Sequence, residues 1–337
     1  MVARKDPDES AFTEPKSAIL KVVKPLVSIV IPTMYRPEAL QTALNSAASQ
    51  NLQDYDIEII VADNSTDASA RTQVEAFKAQ TSHLVKYVSE PNPGVANVRN
   101  AALASAKGEY IAFLDDDQEA TADWLSKMLA QLKTDDTTAV FGHIKGRAAT
   151  QIKNGPAKLA FFSRLHNGQP SGKTLKFYGC GASVVDLKKI APELIQFDSK
   201  RNQTGGEDDA FFGAIQQAGG SFSWSKEAIV YEDVPENRLK KRYICVRSFA
   251  YGQGPSRLCL EKNSFSPLGL AKWMTIGMMQ MAVYFPLALL SLPFENAFHM
   301  KCLRKGCEGA GKFFWQSPFR PKLYGQAAVD NLKKELS

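Results

Sequence analysis

The feature that most restricts the fold is an alternation that runs up to about residue 145: short apolar, β-branched runs, each followed by a stretch with helical spacing. Leu26 to Ile31 (LVSIVI), closed by Pro32, reads as a buried strand. Leu40, Ala43, Leu44 and Ala47 then share one face of a helix predicted over 36–50. The pattern continues with a strand at 57–62, a helix at 68–80, a strand at 84–88 and a helix at 94–106. A strand at 110–114, a helix at 122–132 and a strand at 138–144 complete it. This alternation predicts an α/β fold, a Rossmann-like, mostly parallel sheet with helices on both faces. Such sheets bind ligands at the carboxyl ends of their strands. Polar clusters fall there three times: Thr33, Asp63 at the head of DNSTD, and Asp115-Asp116-Asp117. Together they predict one site.

Composition narrows the function. The 337 residues are 44% hydrophobic and 23% charged, which is globular and enough for one large domain plus an appendage. The net charge of +6 admits an anionic partner without requiring one. No block of basic residues interleaved with aromatics occurs before residue 230, which speaks against nucleic acid. The five cysteines are scattered, and the C-x4-C pair Cys302/Cys307 has no second pair or histidine cluster beside it. Zinc is therefore not expected, and a reducing, cytoplasmic compartment fits. The polar stretch 1–24 is expected to be a flexible tail, and it lacks a signal-peptide apolar core.

Between 145 and 235 the pattern loosens, with a strand expected at 182–185, a helix at 208–218 and a strand at 228–231. The region 237–337 differs in character. Arg238, Lys240, Lys241, Arg242, Arg247, Arg257 and Lys262 face a single acid, Glu261. Residues 273–294 carry no charge at all. That length can cross a bilayer core, which needs about 20 residues. Pro286 and Pro293 interrupt it, however, and basic residues flank both sides. An in-plane or re-entrant membrane segment satisfies these features best, with a span or a buried helical pair as alternatives.

Two acidic motifs carry chemistry. Three adjacent carboxylates at a strand end, Asp115 to Asp117, repel one another, a cost that a bound cation removes. Mg²⁺ or Mn²⁺ takes one or two carboxylates together with phosphate oxygens and water; an acidic surface loop is the plainer reading. In Gly205-Gly206-Glu207-Asp208-Asp209 the acids open a helix, where its dipole favours them. Beside a metal–diphosphate site, such a carboxylate can take a proton from an attacking hydroxyl.

The stretch 27–235 resembles glycosyltransferase family 2, which has the GT-A fold. The resemblance lies in SIVIPTMYRPEAL (28–40), VADNSTD (61–67), PGVANVRNAAL (93–103), YIAFLDDDQEATADWL (110–125) and GGEDDAFF (205–212), in that order and spacing. With VYEDVPENR (230–238) it is most similar to bacterial exopolysaccharide glucosyltransferases of the succinoglycan type. The resemblance implies a catalytic domain at 25–236 and an inverting hexosyltransferase. Its donor would be a UDP-sugar, its cofactor Mg²⁺ or Mn²⁺, and its acceptor lipid-diphosphate-linked or an oligosaccharide, at the cytoplasmic face of the inner membrane. It also implies residue roles. Pro32, Thr33 and Arg36 would border the nucleotide, Asp63 would accept a hydrogen bond from its base, and Arg99, supported by Asn100, would approach the diphosphate. Asp115 and Asp117 would flank the metal with Asp116 beside them, and Asp208 would be the base with Glu207 next to it. The commonest form of the motif has another acid where Gln118 stands, which leaves open which aspartate touches the ion. The same fold acting on a protein or lipopolysaccharide, and a non-catalytic nucleotide-binding scaffold, are the competing readings. A nucleotidyltransferase is disfavoured, because SIVIPTMYRPEA has no glycine- and basic-rich phosphate loop.

Overall fold

The computed structural model describes residues 23–165, 168–202, 205–260, 265–294 and 296–321. All but the last two residues of the expected tail 1–24 lie outside them, as do residues 322–337. The elements follow the order β1 (Leu26–Thr33), α1 (Pro37–Ala48), β2 (Asp56–Asp63), α2 (Arg71–Lys78), β3 (Leu84–Ser89), α3 (Val95–Ser105) and β4 (Tyr110–Phe113). Then come β5 (Gln118–Ala120), α4 (Trp124–Asp135), β6 (Ala139–Arg147), α5 (Gly155–Leu159), β7 (Gly172–Thr174), β8 (Ser183–Asp186), α6 (Glu207–Gln217) and β9 (Phe222–Asp233). Three long helices end the described chain: α7 (Lys241–Leu258), α8 (Pro267–Leu290) and α9 (Ala297–Phe313).

The strands form one sheet in the order β3-β2-β1-β4-β8-β6-β9-β5, with β7 also paired to β9. Its first half is parallel, as the alternation predicts. The second half is mixed, because β8 enters antiparallel between β4 and β6. Apolar residues alternate along β1: Val27, Ile29 and Ile31 face a core with α1, α2 and α4, while Val30 faces a second core with α3 and α6. Trp124, Phe211 and Phe212 are core residues. Strand β9 is longer than the expected 228–231, because its pairing with β6 shifts register between Gly142 and His143 and absorbs the polar interruption Ser225-Lys226-Glu227.

The C-terminal helices pack through small residues. A Cβ on Gly309 would lie 2.7 Å from the Gly277 carbonyl oxygen, so α8 and α9 touch backbone to backbone. On its other side α9 meets α7 in the same way, through Gly311 and the Phe249 carbonyl. Helix α8 runs through Pro286 without a break, contrary to the expected interruption. Pro286 removes a single ladder bond, to the carbonyl four residues earlier, and the helix continues only one further turn beyond it. By length and composition α8 can cross a membrane, and most of it is not buried: Leu268, Met279, Val283, Leu289 and Leu290 are all exposed.

Candidate active site

The parallel register places Thr33 beside Asp63 at the carboxyl edge, with the end of β4 on the other side of β1. The acid triplet turns there and returns as β5, where Gln118 pairs with Glu232 of β9. The turn is tied twice. The Asp233 N–H donates to the Asp117 carbonyl at 2.8 Å, and the Asp115 N–H donates to Gln118 Oε1 at 3.1 Å. Gln118 is 2% exposed, so the residue that replaces the usual fourth acid is a buried brace for the triplet.

A cavity of about 380 Å³ opens over this edge. Five carboxylates line it, Asp115, Asp116, Asp117, Glu207 and Asp208, together with the guanidinium groups of Arg36, Arg99, Arg238 and Arg247. Arg99, on α3 and only 5% exposed, is the hub. It donates to Glu207 at 3.0 Å, to Asp208, and to Asp115 at the longer distance of 3.5 Å. Asp208 Oδ2 accepts the Cys180 N–H at 3.0 Å, so both of its oxygens are held. At the other wall Arg36 bridges Asp116 (2.9 Å) and Asp117 (3.2 Å), and Thr33 donates to Asp116 at 2.9 Å. Arg238 reaches Asp117 at 3.3 Å.

The positions of Glu207 and Asp208 rest on Gly206, whose φ of +83° disfavours any side chain and turns the chain sharply into α6. Cys180 is set by Gly179 and Gly181. A Cβ on Gly181 would lie 2.5 Å from Asp115 Oδ2, so a side chain there would push the Asp115 carboxylate aside. The loop is fixed from behind by Arg164, which donates to the carbonyls of Gly142, Gly179, Gly181 and Ala182. Burial pushes the Arg164 guanidinium down to about 10.

The acids crowd one another. Burial raises the Asp115 carboxyl to about 6, against the pull of Arg99 and with help from Asp117. Glu232 is raised to about 8 by burial and by facing Asp117 and Asp115. Among the described residues no group of three or more His, Cys, Asp or Glu side chains is already arranged around an ion position. The chemistry of the donors nonetheless fits a hard divalent cation. Asp115 and Asp117 offer only carboxylate oxygens, and positive charge there would offset the crowding of the acid triplet.

Glu207 is raised to about 7 by burial and by Asp208, with Arg99 opposing. The fold therefore disfavours its ionised form. Its contribution to stability is complete below the ordinary value of 4.5 and falls as pH rises towards 7. Glu207→Gln is expected to gain on the order of 2 kcal/mol over the parent between pH 5 and pH 8. Urea melts at the two pH values check this, and a parent more stable than the variant at pH 8 would contradict it.

Of the residues expected at the site, Pro32, Thr33, Arg36, Arg99, Asp115, Asp116, Asp117, Glu207 and Asp208 all line the cavity. Asp63 does not. It is fully buried, accepting N–H bonds from Ser65 and Ala70 and the Tyr87 hydroxyl, each at 2.9 Å. Its neighbour Asn64 lines the cavity instead. The three bonds to Asp63 hold its loop against β3. Asn100 also faces away, exchanging two hydrogen bonds with the Phe197 backbone. Residues that sequence reasoning missed are Arg164 and the Gly179-Cys180-Gly181 loop, signalled only by two glycines ahead of a strand. Glu232, at the end of β9, faces the triplet.

Residues 28–189 match the sequence model of glycosyl transferase family 2. Succinoglycan biosynthesis protein ExoM of Rhizobium meliloti (strain 1021) is 32% identical over 238 residues, covering 70% of this chain and 76% of that protein. The GalNAc(5)-diNAcBac-PP-undecaprenol beta-1,3-glucosyltransferase of Campylobacter jejuni is 31% identical over 121 residues, 35% of this chain and 38% of that protein. Among solved structures, GalNAc-T7 with UDP, GalNAc and Mn²⁺ aligns with a TM-score of 0.51 at 16% identity. That alignment covers 74% of this chain and 54% of the other. The likeness is one of fold, and the fold is GT-A.

Proposed function

The chain belongs to glycosyl transferase family 2, and from that premise we propose that it moves a hexose, glucose in the first instance, from a UDP-sugar to an acceptor hydroxyl in polysaccharide biosynthesis. One observation carries this reading: a single guanidinium, Arg99, joins the strand-end acids to Asp208, an acid from a distant helix, in one cavity.

Asp208 accepts the proton of the acceptor hydroxyl as that oxygen attacks the anomeric carbon. The bond from the anomeric carbon to the diphosphate oxygen breaks, and its electron pair leaves with the nucleoside diphosphate. A single displacement inverts the anomeric centre, so an α-linked donor gives a β-linked product. Arg99 and the Cys180 N–H hold Asp208 in position, while Arg36, Arg238 and Arg247 face the negative charge that builds on the leaving group. Asp115 and Asp117 are the residues that would hold Mg²⁺ or Mn²⁺, which when bound supplies Lewis-acid charge to the departing diphosphate. UDP as the nucleotide and a lipid-linked acceptor are taken by analogy, the first from the shared fold and the second from the Campylobacter relative's name.

Residues 25–236 form the catalytic part in this reading, and 237–337 attach it to the membrane. The two are not independent, since Arg238, Tyr243 and Arg247 from the second line the cavity of the first. The exposed apolar residues of α8 lie in the cytoplasmic face of the inner membrane. Hydrolysis of a panel of UDP-, GDP- and dTDP-hexoses by the full chain tests the donor. Turnover of a UDP-hexose that stops in EDTA and returns with Mn²⁺ or Mg²⁺ is expected. Undiminished turnover in EDTA, or turnover with GDP- or dTDP-sugars alone, would contradict the reading.

A further inference from the structure

Helix α3 carries Arg99, and α6 carries Asp208. Two asparagines, working in opposite directions, tie α3 to the segment ahead of α6. Asn202, 106 residues after Ala96, accepts the Ala96 N–H at 2.9 Å and the Asn97 N–H at 3.3 Å. Both groups lie in the first turn of α3 and have no partner within the helix, and Gly94, the residue before it, has no side chain to serve them. In return Asn100 of α3 donates to the Phe197 carbonyl at 2.9 Å and accepts the Phe197 N–H at 2.8 Å. The fit at Asn202 is close: a Cβ on Gly94 would lie 2.1 Å from Asn202 Cγ, and Gly94 has a φ of +149°. The buried Phe197 ring lies 5.5 Å from the Arg99 guanidinium and stacks on Phe211 of α6, with ring centres 4.4 Å apart. After Asn202 the Gly205 N–H donates to the Arg201 carbonyl at 2.9 Å, and the chain enters α6 at Glu207. Neither asparagine lines the catalytic cavity.

We propose that Asn202 is a positioning residue for the transfer reaction: with Asn100 it clasps α3 to the start of α6 and so sets the contact between Arg99 and Asp208. The proposal rests on the reading of Asp208 as the base. Asn202 touches no reacting atom. It fixes the first turn of α3 to a point five residues ahead of Glu207, and Arg99 lies on the next turn of that helix. A displacement of about 1 Å at a reacting group can cost about a hundredfold in rate, so a clasp that holds two helices in register has a catalytic consequence. A plain helix cap, by contrast, would affect stability and leave Asp208 where it is.

The test compares the full-length parent with Asn202→Ala, Asn202→Asp, Asp208→Asn and the double variant Asn202→Ala/Asp208→Asn, in UDP-hexose hydrolysis with Mn²⁺ and in amide hydrogen exchange. Asn202→Ala is expected to lower kcat about thirtyfold with KM for the UDP-hexose within about threefold of the parent. Its Tm is expected to fall by no more than about 4 °C, the loss of one cap in a chain of this size. Asn202→Asp keeps an acceptor for both N–H groups and is expected to restore kcat to within about threefold of the parent. In the Asp208→Asn background, Asn202→Ala is expected to cost less than about threefold more, because the group it positions is already gone. Exchange in Asn202→Ala is expected to quicken about fivefold or more at both 95–100 and 205–210. Unchanged exchange at 205–210 would overturn the proposal, as would an Asn202→Ala kcat within about twofold of the parent. So would a thirtyfold loss that persists without Asp208, or an aspartate that fails to rescue. Failure of the underlying functional reading shows separately, as full hydrolysis by Asp208→Asn or none by the parent, while the exchange rates still decide whether the clasp exists.

Discussion

Asp208→Asn is expected to lower the turnover of sugar transfer by about a thousandfold, within the range a general base contributes, while UDP affinity changes little. The substitution is nearly isosteric. The asparagine carbonyl can still accept the Cys180 N–H, which the native carboxylate holds at 3.0 Å, so the loop stays in place. The variant loses the capacity to take a proton. Arg99 keeps Glu207 at 3.0 Å and Asp115 at 3.5 Å, so the hub survives. Steady-state transfer rates alongside calorimetric UDP titration separate the two effects. A variant with turnover within about tenfold of the parent would remove Asp208 from the base role.

Arg164→Met is expected to have the second largest effect, although Arg164 is not among the residues that line the cavity. Its guanidinium serves four carbonyl oxygens, two of them at 3.0 Å and 2.9 Å from Gly142 and Gly179. Methionine fills comparable space and serves none of them. Each buried carbonyl left without a donor costs about 1–3 kcal/mol, and partial relaxation brings the expected total to about 4 kcal/mol. Because the same loop carries the Cys180 N–H to Asp208 and brings Gly181 against Asp115, turnover is expected to fall by about a hundredfold in the fraction that remains folded. Thermal melts and rates at a temperature where the variant is folded check both parts. Full activity in a destabilised variant would make Arg164 a purely structural residue.

How much was legible in the sequence follows from the physics of each element. Strands β1, β2 and β4 are buried on both faces and read as apolar runs, and the polar clusters after them mark the carboxyl edge. Strand β5 is three residues long and β9 is broken by Ser225-Lys226-Glu227, so neither shows a period that a sequence window can detect. Helix α9 carries Gly306, Gly309 and Gly311, which lower helix propensity. The helix exists because those glycines let α7 and α8 approach its backbone, a tertiary cause with no local signal. The same division holds at the site. Asp115 to Asp117 and Glu207-Asp208 declare themselves as clusters. The Arg99 hub is a meeting of side chains far apart in sequence, and Arg164 acts on backbone carbonyls that sequence does not display.

The central claim is that attack and departure occur on opposite faces of one sugar in one step, with Asp208 on the attacking side. Proton NMR of the first product formed from an α-linked UDP-hexose reads this directly, through the coupling of its anomeric proton. A β-linked product is the expected result. An α-linked product would mean retention, by two displacements or by attack on the face of departure, and would contradict the account.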